Sequence, residues 1–532
     1  MSLAHRRPAC SAKGRVNTIL IALAILWLSI TLAWSTVRRR SLGNSPTEVS
    51  HGRWPSLAQH VPPQGLPAVS SPTYLVGRVK PMTHSHAICK QRGGRGSVPG
   101  AIHKLCHFRS VCWDRKDRTF VYFEDPDNLP LIIDSKGLGP IDTWAENSIQ
   151  VKHFNPAAPL TLMPLVERAG PIPAAESKFA GPEVHVLFQS HWAENFGHAL
   201  GDDIMPAFVL QSIFGLLTPD SVLIMPRNVG HPKCNPDEMW QRARRLLNTL
   251  SALISDHALE EMDVHSTYAL YRADDDNSTD YGIRCDVHCR CSNKVPPPRQ
   301  ADARYVCFRN LLVGHSLLGA MNRQDLGLGW SRFCDYIIQR AMRRWPAVAA
   351  ASRPLAKQRI LILEKTGRRR ILNVQELAAY LRGAFAVEVV VIRPADLPLE
   401  DVIAEFLSSS VVVTPQGGIS FNAAFARARS SVVFLNVWSP THNSATSLER
   451  FFWEHAHRLV DFYYDVRQPE ITILPPGNTT NPSESDFNTH GSVTVNLARM
   501  GRVVASALTS AEHELEIPAP SFSKHMNHAF RD

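Results

Sequence analysis

The chain has 532 residues, of which 44% are hydrophobic and 20% are charged, so it is long enough for two or three domains and too apolar to be disordered throughout. The formal net charge is +9, but seven basic residues and no acidic residue fall within positions 1–40. The rest of the chain carries 50 basic against 48 acidic residues, and this balance gives no support for a nucleic-acid-binding protein.

An apolar stretch near the N-terminus sets the expected compartment. Positions 16–37 are 22 uncharged residues between Arg15 and Arg38. As a helix they extend roughly 33 Å, which is enough to cross a bilayer. The alternative is a cleaved signal peptide, but the stretch is longer than a usual signal-peptide core and no small-residue cleavage site follows it. We predict a cytoplasmic tail over 1–15, a signal anchor over 16–37 and a lumenal body, as in a single-pass type II protein of the Golgi or ER membrane.

Two further features fit a lumenal body. Glycosylation sequons begin at Asn277 and Asn478. Nine of the ten cysteines follow the predicted anchor, and an oxidising lumen favours disulfide bonds, with at least one cysteine left over. The cysteine and histidine cluster at 285–291 leaves a zinc site open as an alternative, although it lacks a paired C-x-x-C spacing.

The lumenal chain divides by composition and pattern. Residues 38–100 are rich in proline, glycine and serine and predict a flexible stem. Residues 101–345 predict an α/β lobe with irregular insertions, in which the proline-rich stretch 126–182 is expected to be mostly loop. Strand patterns in this lobe occur at 118–125, 183–190, 221–226, 266–272 and 304–313, and helical patterns at 195–215, 237–255 and 331–345.

The region 358–438 has the clearest pattern. Short runs rich in valine and isoleucine alternate with helical patterns of about ten residues. This alternation predicts a parallel sheet covered on both faces, the arrangement of a Rossmann-like nucleotide-binding unit. The predicted strands are 359–364, 386–393, 411–415 and 431–437, and the predicted helices are 373–383, 399–410 and 417–429.

Two motifs follow strands of this predicted sheet, where ligands of such sheets bind. Gln416, Gly417, Gly418 and Ser420 come after the third strand, and the glycines allow a phosphorylated ligand to approach the backbone. The plain alternative is a tight turn. Because an arginine cluster follows the first strand of the same sheet, we predict a nucleoside diphosphate ligand. That cluster consists of Arg368, Arg369 and Arg370, whose guanidinium groups bind phosphate oxygens. Taken alone, it would be interpreted as a solvated basic loop.

A candidate general base lies in the first lobe. His198 and Asp202 are four residues apart at the start of a predicted helix, so they share one face. Such a pair is able to deprotonate an acceptor hydroxyl, whereas the plain alternative is capping and packing. The acidic run at 274–276 is a candidate for binding a divalent metal, but it continues into the Asn277 sequon and is better interpreted as a solvated loop.

These motifs together resemble glycosyltransferase family 61, which includes lumenal xylosyl-, arabinosyl- and N-acetylglucosaminyltransferases. The resemblance rests on four blocks: RILILEKTGRRRILN at 359–373, ADLPLEDVIAEFLSSSVVVTPQGGISFNAAF at 395–425, SVVFLNV at 431–437 and NFGHALGDDIMPAF at 195–208. It adds Asn373 and Asn422 to the expected donor site. The sequence departs from the family pattern at Gln416, where a histidine is usual, and at Asn436, where an acidic residue is usual.

The resemblance implies two Rossmann-like lobes in the GT-B arrangement, with the acceptor lobe over 101–345 and the donor lobe with its closing helix over 346–515, before a tail at 516–532. It also implies transfer with inversion from a UDP-sugar to a glycan or glycoprotein hydroxyl. No cofactor is expected, because the UDP-sugar is a co-substrate and a divalent metal is not required. A catalytically inactive glycan-binding or partner-binding protein of the same fold is the alternative. A sulfotransferase is less favoured, because no phosphate loop opens the body.

Overall fold

The computed structural model describes residues 83–93, 102–117, 119–127, 130–134, 137–140, 148–152, 160–188, 190, 195–227, 236–263, 268–272, 281–285, 303–314, 323–437, 453, 456, 458–466, 468–473 and 491–515. The predicted anchor at 16–37, both sequons, the acidic run at 274–276 and the terminal tails lie outside these residues. Within the described part of the chain, no helix is long and apolar enough to cross a membrane.

In the described part of its first half, the chain builds one mixed sheet of fourteen strands. The strands β1 to β14 are, in chain order, His86–Gly93, Ile102–Asp114, Thr119–Glu124, Leu131–Asp134, Gly137–Pro140, Ser148–Lys152, Leu160–Ala169, Ser177–Phe179, Val184–Leu187, Ser221–Arg227, Glu260–Asp263, Tyr268–Arg272, Tyr281–Cys285 and Tyr305–Val313. In the main path of the sheet the spatial order is β11-β10-β9-β14-β2-β3-β7-β12-β13.

One end of this sheet is parallel. Strands β11, β10, β9 and β14 are parallel neighbours in that order, so the chain order reverses between β9 and β14. Helical segments connect them, because parallel strands need crossover connections. Phe196–His198 (α1), a π turn at Ala199–Ile204 and Met205–Ile213 (α2) follow β9, and Pro236–Ser251 (α3) follows β10.

The second half forms a separate sheet of five parallel strands. These are Arg359–Leu363 (β15), Glu388–Ile392 (β16), Val411–Thr414 (β17), Ser431–Val437 (β18) and Val460–Val466 (β19), in the spatial order β16-β15-β17-β18-β19. The four strands predicted between 358 and 438 are confirmed, and β19 extends the sheet. The α/β class is therefore confirmed.

Both faces of this second sheet are covered. Ile360 and Ile362 of β15 pack into one hydrophobic cluster, and Leu361 and Leu363 pack into another on the opposite face, as the alternation of a strand requires. Helices lie on each side. Val374–Phe385 (α6) and Leu497–Leu515 (α8) share the first cluster, while Leu399–Leu407 (α7) joins the second. A hairpin of Ile471–Ile473 (β20) and Gly491–Val493 (β21) precedes α8.

The two halves share a hydrophobic core. Trp330 belongs to Arg323–Arg344 (α4), and its ring centroid lies 5.7 Å from that of Phe421 in the second half. The ring centroid of Phe196 in α1 lies 6.2 Å from that of Phe425. The predicted boundary at 345–346 falls between α4 and Pro346–Ala351 (α5), but buried residues from both sides of it belong to one cluster. This packing fixes the position of α1 against the second sheet.

Two predictions made from composition are wrong in part. The predicted stem contains β1, which pairs with β2 and is bonded to it through Cys89 and Cys106. The stretch 126–182, expected to be mostly loop, contributes β4 to β8. Four of these strands have only three to five residues, which is too short for a clear alternation of polar and apolar positions.

Disulfide bonds are present as predicted. Cys89 pairs with Cys106 and Cys112 pairs with Cys307, and all four sulfur-bearing side chains are buried. Among the described residues, Cys334 is buried with a free thiol.

We expect loss of the Cys112–Cys307 bond to destabilise the fold more than loss of the Cys89–Cys106 bond. The first spans 195 residues and the second 17, and closing the longer loop removes more entropy from the unfolded chain. The chain-entropy relation gives about 5 against about 3 kcal/mol. Urea unfolding of the two paired alanine variants measures the difference; an equal or reversed ranking would contradict the loop-length argument.

His185 of β9 makes stability depend on pH. The side chain is 1% exposed, and burial lowers its pKa to about 4. In the unfolded chain a histidine has a pKa near 6.5. The contribution of the buried neutral imidazole to the free energy of unfolding is therefore fully present above pH 6.5, and it is lost as the pH falls toward 4. We expect His185→Gln to remove about 2 kcal/mol of the loss in unfolding free energy between pH 7 and pH 5. Urea unfolding at both pH values tests this, and an unchanged pH dependence in the variant would refute it.

Candidate active site

The arginine and glycine motifs follow adjacent strands of the second sheet. Arg368, Arg369 and Arg370 come after β15, and Gln416 and Gly417 come after β17. The strand order reverses between β15 and β17. In open parallel sheets the crevice beyond the carboxyl ends of the strands at such a reversal is the usual ligand site. Both motifs therefore lie where a ligand is expected.

Arg369 and Gly417 are in direct contact. A methyl group on Gly417 would lie 2.8 Å from Cζ of Arg369 and 3.0 Å from both Nη1 and Nη2. The guanidinium group therefore covers the glycine with its flat face. Gly417 has φ of 104° and ψ of −164°, a conformation that is essentially restricted to glycine. Arg369 has φ of 56°, a left-handed backbone conformation that costs an arginine on the order of 1 kcal/mol.

The first half of the chain reaches the same loop. Gly197 and Gly418 approach so closely that a methyl group on Gly197 would lie 2.7 Å from Cα of Gly418. A methyl group on Gly418 would lie 1.9 Å from Oδ1 of Asn195. The loop that follows β9 thus packs against the loop that follows β17. The strand order of the first sheet reverses next to β9, as that of the second sheet reverses next to β17. The reversal points of the parallel strands in the two sheets therefore meet here.

His198 and Asp202 form the pair expected from their spacing. Nδ1 of His198 lies 2.6 Å from Oδ2 of Asp202, and the two side chains are 24% and 9% exposed. The π turn Ala199–Ile204 carries Asp202, and such turns are frequent at functional sites. When Nδ1 donates to the carboxylate, Nε2 is the nitrogen that accepts a proton. The pair therefore has the arrangement of a histidine base oriented by an aspartate.

A second carboxylate on the π turn has a different partner. Asp203 is fully buried, and its Oδ2 accepts a hydrogen bond of 2.6 Å from the hydroxyl of Ser190. Ser190 lies between β9 and Asn195, so this bond holds the segment that leads into α1 against the π turn. No role for Asp203 follows from the sequence, because two adjacent acidic residues give no sign of which one faces the core.

The other predicted donor residues are used mainly within the chain. Asn373 makes two hydrogen bonds to the backbone of Val495, at 2.9 and 2.8 Å. Ser420 donates to the carbonyl of Gly417, and Asn422 donates to the carbonyl of Ile419. These bonds compete with a regular α-helix, and the predicted helix at 417–429 is instead a 3₁₀ helix over Gly418–Phe425.

The arginines next to Arg369 differ in their surroundings. Arg368 is exposed. The backbone carbonyl of Arg370 accepts a hydrogen bond from the amide of Val493, which fixes the backbone at this position. Gln416 has a buried Oε1 without a hydrogen-bond partner among the described residues. Donor binding by these side chains stays a prediction.

Metal binding was an alternative at two places in the sequence. The acidic run at 274–276 lies outside the described residues, as does most of the cluster at 285–291. Within the described ranges, no three histidine, cysteine, aspartate or glutamate side chains gather closely enough to hold an ion.

Comparison with solved structures gives matches of low similarity. Rubredoxin oxygen:oxidoreductase from Desulfovibrio gigas is 11% identical, over 40% of this chain and 45% of its own, with a TM-score of 0.18. The metal-soaked Flv1 flavodiiron core from Synechocystis sp. PCC6803 is 10% identical, over 76% of this chain and 96% of its own, also with a TM-score of 0.18. The chain thus spans less than half of the first structure, and scores this low carry no argument. No curated protein matches the chain.

A family model gives a specific match. The model of Glycosyltransferase 61 matches residues 196–433. The matched stretch contains the His198–Asp202 pair, Arg369 and the two glycines of the loop after β17. The resemblance drawn from the sequence motifs is confirmed, because residues 196–433 match the family 61 model.

Proposed function

We propose that the protein transfers a sugar from a UDP-sugar to a hydroxyl group of a glycan or glycoprotein. The observation that carries this proposal is the meeting of three loops, in which Arg369 covers Gly417 while Asn195 and Gly197 pack on Gly418. A nucleoside diphosphate suits the chemistry of this meeting point, because backbone amides and a guanidinium group bind phosphate oxygens well. The family 61 match supports the reaction class.

The donor would bind with its diphosphate beside Arg369 and Gly417. As the bond between the anomeric carbon and the diphosphate breaks, negative charge grows on the leaving oxygen, and the fixed arginine stabilises that charge. We further propose a GT-B-like arrangement, in which the parallel units of the two halves form the two lobes. The meeting of their reversal points supports it.

On the acceptor side, Nε2 of His198 would take the proton of the acceptor hydroxyl. The hydroxyl oxygen then bonds to the anomeric carbon from the face opposite the diphosphate, so the configuration inverts. Asp202 holds Nδ1 and stabilises the imidazolium that forms.

We expect Asp202→Asn to lower kcat by about 100-fold, because the amide does not stabilise the imidazolium charge. Donor KM should change little, since Asp202 contacts His198 rather than the loop at Gly417. Asp401→Asn is the matched control, an exposed aspartate at the start of α7. Steady-state kinetics with saturating acceptor give both constants, and a kcat within twofold of the parent in the folded variant would remove the pair from catalysis.

The activity itself is tested by UDP release. The purified full chain is incubated with UDP-xylose, UDP-arabinose and UDP-N-acetylglucosamine, each with and without EDTA. Release from one donor that survives EDTA is the expected result, in line with a transferase that needs no divalent metal. Release abolished by EDTA would instead favour a metal site such as the run at 274–276.

The cellular setting is also a proposal. The apolar stretch at 16–37 and the sequons at Asn277 and Asn478 support a type II protein of the Golgi or ER membrane with a lumenal body. The two buried disulfide bonds support an oxidising compartment.

A catalytically inactive glycan-binding or partner-binding protein is the second candidate. The internal hydrogen bonds of Asn373, Ser420 and Asn422 favour it, because these side chains are already engaged within the chain. UDP binding without release or transfer from any donor would select this candidate.

A further inference from the structure

We infer that Asn195, from the first half of the chain, is a donor-binding residue, which presents its side-chain amide to the diphosphate held at Gly417 and Gly418. This inference rests on the proposed function. It changes the composition of the donor site, which the sequence assigned to residues of the second half alone.

Asn195 lies directly over the glycine loop. Its Oδ1, Cγ and Nδ2 would be 1.9, 2.9 and 3.2 Å from a methyl group on Gly418. The carboxamide therefore occupies the space that any larger residue at 418 would need. Arg369 occupies the corresponding space at Gly417. Two successive glycines are thus each covered by a polar head group, one from each half of the chain.

The carboxamide is held at one end only. Its Oδ1 accepts a hydrogen bond of 3.0 Å from the amide of Gly197, which caps α1. Its Nδ2 has no hydrogen-bond partner among the described residues. The contact with Gly418 and the bond to Gly197 leave the side chain little freedom to turn, so Nδ2 is a fixed donor beside the loop.

Helix capping alone does not require an amide. Aspartate, serine and threonine supply the same acceptor oxygen at such a position. What asparagine adds is a neutral group with two N–H donors. Beside Arg369 and the backbone of the glycine loop, that addition suits an anion such as a nucleoside diphosphate. An aspartate in its place would keep the cap and set a negative charge against the phosphates.

This difference gives a test in which folding and binding separate. The purified full chain and the variants Asn195→Asp and Asn195→Ser are titrated calorimetrically with UDP, uridine and inorganic pyrophosphate. Both variants retain a capping oxygen, and thermal unfolding checks that their midpoints stay close to the parent value. If the aspartate variant does not fold, the serine variant carries the test.

We expect Asn195→Asp to raise the Kd for UDP by about 10- to 100-fold, because a donor to a charged oxygen is lost and a like charge is added. Asn195→Ser should raise it by about tenfold. The Kd for uridine should change by less than about threefold, since it lacks the phosphates that Nδ2 contacts.

The other outcomes overturn the inference in distinguishable ways. Unchanged UDP binding by both folded variants would reduce Asn195 to a helix cap and leave the proposed function intact. Equal weakening of UDP and uridine would mean that Asn195 shapes the site as a whole. A parent chain that binds neither UDP nor pyrophosphate would overturn both this inference and the proposed function.

Discussion

Gly197→Ala is expected to abolish most activity and to lower the free energy of unfolding by about 1–3 kcal/mol. The added methyl group would lie 2.7 Å from Cα of Gly418 and 3.0 Å from Cδ2 of Phe421. The first of these atoms belongs to the backbone, so the clash is relieved only by moving the two loops apart. A displacement of about 1 Å at a reacting site costs on the order of 100-fold in rate. UDP release and urea unfolding on the same preparation measure both effects.

Gly383→Ala is the matched control for this substitution. Gly383 lies in α6, and a methyl group there would meet nothing within 4 Å. Replacing a helical glycine by alanine should leave activity unchanged and add about 0.5–1 kcal/mol to the free energy of unfolding. If Gly197→Ala behaves like Gly383→Ala, then the two loops do not need their close contact.

Arg369→Ala should reduce kcat/KM for sugar transfer by about 100-fold or more while the fold is retained. The guanidinium group lies over Gly417, where the charge of the leaving diphosphate is expected to develop, and loss of one such donor typically has this effect. Alanine at position 369 meets the same cost of the left-handed backbone conformation as arginine, so the free energy of unfolding should change little. Steady-state kinetics and thermal unfolding provide the two readouts.

Two controls sharpen the test of Arg369. Arg369→Lys keeps the charge but loses the flat group that covers Gly417, and it should recover only part of the activity. Arg353→Ala removes an exposed arginine that precedes β15, at the opposite end of the strand, and should have no effect. Activity in Arg369→Ala equal to that in Arg353→Ala would exclude a role for Arg369 in donor binding.

The second sheet was predictable because its signals are local. Ile360 to Leu363 form a continuous apolar strand with both faces buried, and the next helix is amphipathic. The first sheet was less predictable from the sequence. Its strand β1 pairs with β2 and β4 through contacts that hydrophobic periodicity does not record, and it lies in a stretch whose composition is typical of a linker.

The candidate site divides in the same way. The sequence predicted Arg369 and Gly417 at one edge of a sheet, because both follow parallel strands of one unit. It also predicted the pairing of His198 with Asp202 from their spacing. The contact between Asn195 and Gly418 was not predictable, since it depends on how Phe196 and Phe425 pack the two halves together.

Hydrogen–deuterium exchange of the full chain, measured with and without UDP, locates the segments that a bound nucleoside diphosphate covers. If a nucleoside diphosphate binds where the three loops meet, UDP slows amide exchange at 195–200, 366–373 and 416–420 together. Protection confined to 366–373 and 416–420 would contradict the claim, because it would locate the donor on the second sheet alone, and an absence of protection in all three segments would contradict it outright.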